Sequence, residues 1–529
     1  MAMFEQISQF RSKSTSKPAQ LKQARSPQEA TTVALDLGGQ GPAAGLYNHL
    51  GDCLEYQERD CRPQISDEGR RVEYNANQYI NACVDALNTL QNYRNCADQL
   101  QLGIASQGAS FIGWNKNNGK ALSPIISWQD TRTKISLEQL KFNRDDIESI
   151  TGLKPSAHYG ASKLAWCLEY LPSVRKANAA GELSFGPLNS YLLFILSQGR
   201  HNFCDPGCAQ RTLLWDIQHN TWSHKLCRQF RIPPTALPQI RQNCDDYGQL
   251  NFGYLGRQPL KVTAMHRDQN SSLFADGEIN ADNLYINLGT GAFVQRSSTN
   301  KQPPDGLLIS PALYTRNYHS YAWEGTVNGA ASALPWLEKQ LRQVLSPQRI
   351  EWALNRDYRH WQGFFINSIR GLGSPYWRND IATEFTDMDK GADSSSHDNM
   401  NACKITAWIE SLIFHITEIS ILMQAETPLK QVEISGGMAA SDALCQRLAD
   451  NIGLTIIRRQ DSEASLRGIA YLAAGRPRSW QARKSEATFL SQDNPALKKR
   501  FHRWQQTLHK KTGFKLRQPA PNTPQFYAL

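Results

Sequence analysis

The feature that most constrains the fold of this chain is an apolar strand that runs into a glycine turn, a pattern found at three places. The apolar runs cover residues 31–35, 283–287 and 432–434. The turns that follow them are Gly38-Gly39-Gln40-Gly41, Gly289-Thr290-Gly291 and Gly436-Gly437. Short β-branched and apolar runs bounded by turn residues are typical of buried strands. The first two turns predict two α/β halves that each open with a strand and a tight turn.

The segment after the first turn decides between two kinds of nucleotide motif. Residues 44–48 continue an extended pattern and Gly51-Asp52 supplies another turn, which predicts a hairpin. Residues 39–44 also match the dinucleotide fingerprint G-x-G-x-x-A. That fingerprint needs a helix that opens inside the motif, so that its N-terminus meets a pyrophosphate. The predicted hairpin therefore argues against a dinucleotide-binding fold.

Helices and strands alternate along the rest of the chain. Apolar spacing predicts a strand over 102–105 and helices over about 79–90, 162–170, 330–344, 405–425 and 495–511. Residues 383–403 are polar, which predicts an irregular loop. We expect a first domain over 30–276 and a second over 277–475. A disordered N-terminal arm, 1–29, and a basic C-terminal tail, 476–529, flank them.

The net charge of +10 is concentrated at the two ends of the 529-residue chain. Residues 476–529 hold twelve Lys/Arg against two Asp/Glu, and residues 1–30 hold five against two, so the rest carries −3. No nucleic-acid recognition motif accompanies the basic tail, which argues against a nucleic-acid partner. A mean hydropathy of −0.52 and the lack of a bilayer-length apolar stretch argue against a membrane partner. Eleven scattered cysteines and a polar N-terminus favour a cytoplasmic protein with free thiols.

Glycine turns after strands can bind phosphate. Without a Cβ atom in the way, several backbone N–H groups can approach one anion. One such turn is weak evidence, but three make nucleotide phosphate the expected ligand. Asp36 lies between the first strand and its turn. It is either a ligand of Mg²⁺ beside the phosphates or an acceptor for turn amides, and the residues alone leave both roles open.

Asp268 is the second candidate for chemistry. It follows a short β-type run and precedes Gln269-Asn270, so it can cap a helix. It can also be a general base that accepts the proton of a hydroxyl attacking a γ-phosphate. His266-Arg267-Asp268 matches the catalytic loop of protein kinases, but the lysine and D-F-G motifs of that class are missing. The residues alone do not choose between the two roles of Asp268.

A series of short motifs runs in a fixed order along the chain. Residues 127–133 read as W-Q-D-x-R, residues 266–274 as a variant of G-D-Q-x-x-A-L-F, and residues 285–293 as Y-G-T-G-x-F. Further landmarks follow at 181–186, 210–214, 324–325, 371–377, 435–439 and 463–471. In this order, over about residues 31–475, they resemble the FGGY carbohydrate kinase family, and most of all its glycerol kinase branch.

The resemblance implies an α/β fold of two actin-like, RNase H-like domains around a central cleft. It implies ATP-Mg²⁺ on the second domain, a small sugar or polyol substrate on the first, Asp268 as general base and Asp36 as the Mg²⁺ ligand. The nucleotide-binding residues it implies are Gly38, Gly39, Gly289, Thr290, Gly291, Gly436, Gly437 and Ser441. The substrate-binding residues it implies are Gln107, Trp128, His158, Gln269 and Phe293. A homodimer is kept as a candidate assembly.

Departures from the family pattern bear on function. The glycerol branch has an Arg-Glu pair where this chain has Gly108-Ala109, and its tyrosine falls on His158. We therefore expect a substrate other than glycerol, with room for a larger ligand beside Gly108. The first phosphate turn, D-x-G-T-[TS]-x-x-R in the family, has lost its hydroxyls and its arginine, which removes donors to the transferring phosphoryl group.

Two functions follow from these patterns. The favoured one is ATP-dependent phosphorylation of a hydroxyl of a sugar, polyol or related metabolite, with Asp268 as the base. The alternative is a catalytically silent relative that binds a nucleotide or sugar as a sensor or partner, and the altered first turn motivates it. We favour the kinase because a cleft without chemistry has no physical need for a carboxylate at the base position.

Overall fold

The first half of the chain forms the strands and helices that end near residue 274. We describe a computed structural model over residues 30–90, 100–139, 144–250, 260–356, 358–391, 397–424, 427–460 and 463–515. The strands of this half are β1 (Ala30–Gly38), β2 (Gly41–Asn48), β3 (Cys53–Glu58), β4 (Gln64–Ser66), β5 (Arg71–Tyr74), β6 (Gln101–Ser106), β7 (Phe111–Asn115), β8 (Ile125–Ile126), β9 (Leu183–Pro187), β10 (Phe203–Cys204), β11 (Trp215–Asp216), β12 (Thr221–Trp222), β13 (Gln239–Ile240), β14 (Gln249–Leu250) and β15 (Leu260–Arg267). Its α-helices are α1 (Ala76–Asn88), α2 (Lys134–Gln139), α3 (Arg144–Thr151), α4 (Gly160–Tyr170), α5 (Pro172–Ala179), α6 (Leu188–Leu196), α7 (Pro206–Gln210), α8 (His224–Gln229) and α9 (Asp268–Ser271). Short 3₁₀ turns lie at Asp67–Gly69, Pro234–Ala236 and Ser272–Phe274.

The second half repeats this mixture of strands and helices. Its strands are β16 (Asn283–Leu288), β17 (Ala292–Ser298), β18 (Leu308–Tyr314), β19 (His319–Val327), β20 (Phe364–Ile366), β21 (Glu384–Thr386), β22 (Gln431–Ser435), β23 (Thr455–Arg459) and β24 (Ser485–Phe489). Its α-helices are α10 (Leu334–Leu341), α11 (Pro347–Leu354), α12 (His397–Met423), α13 (Asp442–Ile452), α14 (Ala464–Ala473) and α15 (Pro495–Thr512). Further 3₁₀ turns lie at Ala331–Ala333 and Gly437–Ala440.

The two large sheets share one design. The first has the order β14-β15-β6-β1-β2-β3, in which β1 pairs antiparallel with β2 and parallel with β6, and β6 pairs parallel with β15. The second has the order β18-β19-β17-β16-β22-β23-β24, in which β16 pairs antiparallel with β17 and parallel with β22. Each half therefore opens with a hairpin and continues into parallel strands. The predicted hairpin at the first glycine turn is confirmed.

The helix α12 forms the centre of the second half. Within the described residues it is the helix long and apolar enough to cross a bilayer, and 89% of its most apolar 18-residue window is buried inside the protein. Trp408, Phe414 and Ile419 on this helix are fully buried in the main hydrophobic cluster. Burial on nearly every side explains why the helix is apolar around its circumference. It is a core helix of a folded domain.

The helix α14 belongs to the second half by sequence but packs on the first sheet. Its Leu466 and Ile469 lie in a cluster with Ala34 of β1 and Ala105 of β6. Helix α14 can pack this closely because Gly468 lies where its backbone contacts the backbone of α9. A Cβ atom at Gly468 would lie 1.8 Å from the Ser271 carbonyl oxygen. This helix therefore joins the two halves directly behind the carboxyl ends of the first sheet.

We expect Gly468→Ala to lower the free energy of unfolding by about 2 kcal/mol, because a Cβ atom there must push α14 away from Ser271. Urea unfolding followed by circular dichroism measures this. The matched control is Gly437→Ala, since a Cβ atom at Gly437 has no neighbour within 4 Å. Equal stability of the two variants would contradict the close packing.

Most predicted elements are confirmed, with shifted ends. The predicted helix over 495–511 is Pro495–Thr512, with Leu497, Phe501, Trp504 and Leu508 buried on one side. The predicted helix over 330–344 is shorter, because a 3₁₀ turn precedes Leu334 and Arg342 ends the helix in the left-handed region. The arm 1–29 and the end of the tail, 516–529, lie outside the described residues.

The prediction of an irregular loop over 383–403 is wrong in part. β21 pairs with β20 within this range, and α12 begins at His397. Asn401, Ala402 and Cys403 are buried in the helix. Tertiary burial of one side of a polar segment produced a helical turn that composition does not reveal. The cysteines among the described residues are free thiols, as expected.

Candidate active site

The carboxyl ends of three parallel strands bring the first-domain candidates to one edge. Leu37 of β1 and Arg267 of β15 both stand beside Ser106 of β6. Gly38, Gln107 and Asp268 are the next residues on those three strands. Ligands of open α/β sheets bind at this edge. The structure therefore places the first glycine turn, Gln107 and Asp268 side by side.

Asp268 is the first residue of the short helix α9. Its carboxylate accepts a hydrogen bond of 2.7 Å from the Gln269 amide, so it does satisfy a turn amide. Its side chain is 23% exposed. Burial raises the pKa of Asp268, while Arg267 and the amides of Gln269 and Gly108 act in the opposite direction. A half-buried carboxyl with a raised pKa is suited to accept a proton near neutral pH.

Two tyrosines hold the first glycine turn. The Tyr79 hydroxyl donates to the Gly38 carbonyl at 2.7 Å, and the Tyr74 hydroxyl donates to the Gly39 carbonyl at 2.8 Å. Burial raises the pKa of Tyr74 to about 12, so its phenol remains a donor at neutral pH. The turn carbonyls are thus bonded within the protein and do not oppose an anion. Gln107 lies against the same turn, with Nε2 3.5 Å from the Gly38 oxygen.

Asp36 is held from the second half of the chain. The Ser465 hydroxyl, at the start of α14, donates to one of its carboxylate oxygens. No cluster of three or more metal-ligating side chains occurs in the described parts of the chain. Mg²⁺ commonly binds proteins through one or two carboxylates and takes its other ligands from phosphate and water. Asp36 fits that mode, and the chain offers no all-protein metal cage within the residues described.

The second and third glycine turns lie together at the carboxyl edge of the second sheet. Asn287 of β16 and Ser435 of β22 are neighbours, and the turns begin two and one residues later. Gly436 has φ +95°, and a Cβ atom there would lie 2.4 Å from the Leu288 carbonyl oxygen, so only glycine fits. The carbonyls of Gly289 and Thr290 accept hydrogen bonds of 3.2 and 3.0 Å from the amides of 331 and 332. As at the first turn, carbonyl oxygens are engaged within the protein.

Ser441 has a structural role. Its hydroxyl accepts a hydrogen bond from the Leu444 amide at 3.2 Å, which caps α13, and donates to Glu351 at 2.5 Å. A capping hydroxyl of this kind stabilises a helix N-terminus. Contact of Ser441 with a nucleotide stays a prediction.

A buried lysine fixes two of the substrate-side candidates. The Lys163 ammonium donates to the carbonyls of Ser127 and His158 at 2.7 and 2.9 Å, and burial lowers its pKa to about 7. His158 Nδ1 donates to the Trp128 carbonyl at 2.9 Å. Trp128 and His158 therefore form one unit in the first half. Phe293 stands on β17 in the second sheet, opposite Asn287 and Thr326, so a wall made by Trp128 and Phe293 together stays a prediction.

A buried ion triad that sequence reasoning did not assign to the site joins the two halves. Glu324 of β19 accepts from Arg211 at 2.5 Å and from Arg267 at 2.8 Å. Ser310 and Gln295 also donate to it, at 2.7 and 3.0 Å. The two guanidinium groups lower the pKa of Glu324 to about 2. The motifs at 210–214 and 324–325 mark these residues in the sequence, but their contact is visible only in the fold.

The expected room for a larger ligand beside Gly108 is absent at that position. A Cβ atom on Gly108 would lie 2.7 Å from Arg267 Cδ and 2.9 Å from Arg267 Nε. The side chain of Arg267 fills the space that the glycine leaves. This part of the substrate prediction is therefore wrong, because a neighbouring strand supplies the missing bulk.

Two small cavities occur in the described part of the structure. A crevice of about 30 Å³ lies between the halves, bordered by Ser272, Asn287, Ser435 and Ala464. A cavity of about 160 Å³ lies elsewhere, between the segment 359–362 and α15. The smaller one lies beside the ends of β16 and β22, next to the second and third glycine turns, and neither cavity is lined by a predicted site residue.

Two α/β domains with one sheet design, a half-buried carboxylate at the edge of the first and paired glycine turns at the edge of the second define an actin-like, RNase H-like kinase fold. The model of the N-terminal domain of the FGGY family of carbohydrate kinases matches residues 31–275, and the model of the C-terminal domain matches residues 284–475. The chain belongs to the FGGY family of carbohydrate kinases. It is a phosphotransferase of a family that uses ATP.

Named relatives agree with this assignment. The chain is 28% identical over 484 residues to a glycerol kinase of Ralstonia pickettii, covering 88% of this chain and 95% of the relative. Its fold is similar to that of Plasmodium falciparum glycerol kinase with ADP, with a TM-score of 0.79 and 22% identity over 92% of this chain and 99% of the other. It is also similar to a xyloylose kinase from Brucella ovis, with a TM-score of 0.78 and 18% identity over 91% and 98% of the two chains. The fold is thus shared by kinases with different substrate names.

Proposed function

We propose that this chain transfers the γ-phosphoryl group of ATP to a hydroxyl of a sugar, polyol or related metabolite other than glycerol, with Asp268 as the general base. The observation that carries the proposal is the position of Asp268, half-buried at the carboxyl edge of three parallel strands beside Gln107 and Gln269. In this reading Asp268 accepts the proton of the attacking hydroxyl, and Gln107 and Gln269 orient the substrate.

The residues proposed to bind the nucleotide lie in the glycine turns. The edge of the first sheet contributes Gly38 and Gly39, and the edge of the second contributes Gly289, Thr290, Gly291, Gly436 and Gly437. The fold supports a substrate domain over 30–276 and a nucleotide domain over 277–475. Asp36 would hold Mg²⁺, which supplies positive charge to the phosphates when bound. Loose phosphoryl transfer depends mainly on positioning and charge stabilisation, so this set of groups is sufficient.

Three residues favour a substrate other than glycerol. His158 and Gly108-Ala109 stand where the glycerol branch carries groups that bind glycerol hydroxyls. A site built on such hydrogen bonds discriminates strongly, so their loss should weaken glycerol as a substrate. An identity of 28% to a glycerol kinase leaves the substrate pocket free to differ.

A coupled ADP-release screen over ketoses, aldonates and polyols, with glycerol included, tests the proposal. We expect substrate-stimulated ADP release with at least one sugar or polyol and a kcat/KM for glycerol at least about tenfold lower. Glycerol as the best substrate would refute the exclusion of glycerol. Tight binding of ATP or sugar by calorimetry without turnover on any compound would instead support the catalytically silent alternative.

A further inference from the structure

Two residues that differ from the family pattern contact each other in the structure. Residue 108 is glycine and residue 267 is arginine, whereas the resembling motifs carry arginine at the first position and glycine at the second. In the structure the two residues touch, with Arg267 Cδ 2.7 Å and Arg267 Cγ 3.0 Å from a Cβ atom built on Gly108. Any side chain at 108 would displace Arg267. The glycine at 108 and the arginine at 267 are therefore complementary in size. The guanidinium group at this place belongs to Arg267 of β15 and not to a residue of the turn after β6.

Arg267 is anchored on one side and faces the candidate base on the other. Its side chain is 7% exposed, and Nη1 donates to Glu324 Oε1 at 2.8 Å. Nε lies 4.0 Å from Asp268 Oδ1. Because Glu324 belongs to β19 and Asp268 to α9, Arg267 connects a strand of the second half to the carboxylate at the edge of the first sheet.

We propose that Arg267 is a positioning residue that holds the Asp268 carboxylate in place and links it to Glu324 of the second domain, in a space that exists because residue 108 is glycine. The inference rests on the proposed role of Asp268 as the base. A cation at this distance favours the ionised carboxylate, which is the form that accepts a proton. It also restricts the carboxylate to the side of the cleft where Gln107 and Gln269 lie.

Other charged groups near Asp268 cannot replace Arg267 in this role. Arg211 is held by Glu324 at 2.5 Å and acts on Asp268 more weakly than Arg267 does. The helix α14, which packs against α9, carries Arg467, whose guanidinium donates to the carbonyls of Gly51 and Gln481. The other ionisable groups of the elements packed against α9 are Asp36 of β1, Lys261 and His266 of β15, Tyr314 of β18 and Tyr471 of α14. Lys261 pairs with Asp246 at 3.5 Å, and His266 Nε2 donates to the Ala312 carbonyl at 2.9 Å, so both side chains are engaged elsewhere. Asp36, the tyrosines and the nearby Cys208 thiol supply no positive charge.

The contact between residues 108 and 267 can be tested without any substrate. We expect Gly108→Ala to lower the urea midpoint in the wild-type background and to have little effect in an Arg267→Ala background, where the opposing side chain is absent. Additive effects of the two substitutions would overturn the complementary packing. Arg62→Ala, which removes an exposed arginine paired with Asp60, is the control background.

The effect on Asp268 has an activity-independent readout. The pH dependence of the stability difference between each protein and its Asp268→Asn variant reports the pKa of Asp268 by linkage. We expect this pKa to rise by about one unit in Arg267→Met, which removes the charge, and to change little in Arg267→Lys. An unchanged pKa in Arg267→Met would overturn the inference.

Kinetics then separate this inference from the proposed function. If the chain is active, the acidic limb of the kcat/KM profile should move to higher pH by about one unit in Arg267→Met and not in Arg267→Lys, with kcat affected more than KM. An active Arg267→Met enzyme with an unmoved limb defeats the positioning role and leaves the proposed function intact. A wild-type protein that is inactive on every compound defeats the proposed function, while the linkage measurement still decides whether Arg267 acts on Asp268.

Discussion

Replacing Asp268 by asparagine should reduce kcat about 10³-fold, since a positioned general base contributes roughly 10²–10⁴ to a proton-transfer step. Asparagine keeps the shape of the side chain, and its carbonyl oxygen can still accept the hydrogen bond from the Gln269 amide. The substitution therefore removes the group that accepts a proton. The same coupled ADP-release assay measures the loss on the substrate found in the screen. Because burial raises the pKa of Asp268, wild-type kcat/KM should also fall as the pH drops through that raised value.

The stability of this variant distinguishes lost chemistry from lost folding. The folded-state pKa of Asp268 lies above its ordinary value of 3.8, so the ionised carboxylate is a net cost to the folded state at neutral pH. Asp268→Asn should therefore unfold at the same urea concentration as the wild type or at a higher one. Asp380→Asn, at an exposed pair with Arg378, is the matched control and should keep full activity. Retention of more than about a tenth of the activity by Asp268→Asn would contradict a base at this position.

Replacing Glu324 by glutamine should lower the free energy of unfolding by about 3 kcal/mol, because it leaves Arg211 and Arg267 buried without their anion. Glutamine keeps the volume and one carbonyl acceptor, so the loss measures the charge. Urea unfolding followed by tryptophan fluorescence gives the difference. Asp60→Asn, at an exposed pair with Arg62, should change stability by less than about 0.5 kcal/mol.

The pH dependence of this difference has a definite sign. The pKa of Glu324 falls from an ordinary 4.5 to about 2 in the folded state. The stabilisation is therefore fully present above pH 4.5 and is lost as the pH falls towards 2. The gap between wild type and Glu324→Gln should close over that interval. A gap that is unchanged from pH 6 to pH 3 would show that the triad does not depend on the carboxylate charge.

Local sequence patterns predict part of the candidate site. Asp268, Gln107 and the three glycine turns each follow a strand, and an apolar run bounded by glycine is readable in one dimension. That Asp268, Gln107 and the first turn share one edge became visible only in the structure, where β1, β6 and β15 pair in parallel. The order of the motifs then predicts the family, and the family models confirm that step.

Contacts between elements distant in sequence were not readable in this way. Ser465 bonds Asp36 across 429 residues, and Arg211 bonds Glu324 across 113. No periodicity encodes such pairs, since each residue occurs in a motif that is complete without its partner. The burial of Lys163 was not readable either. The apolar spacing of its helix, α4, predicts which side faces the core but not that a lysine is buried there.

The sequence by itself determined the strand-and-glycine-turn plan, the two α/β halves and the family to which the chain belongs. These depend on local propensity and on periodicity, which act over a few residues. Only the tertiary structure decided that α14 closes against the first sheet, that Glu324 holds two arginines of the other half, and that Arg267 fills the space beside Gly108. Those outcomes depend on volume and charge at points where distant segments meet, and a linear pattern carries no information about which segments those are.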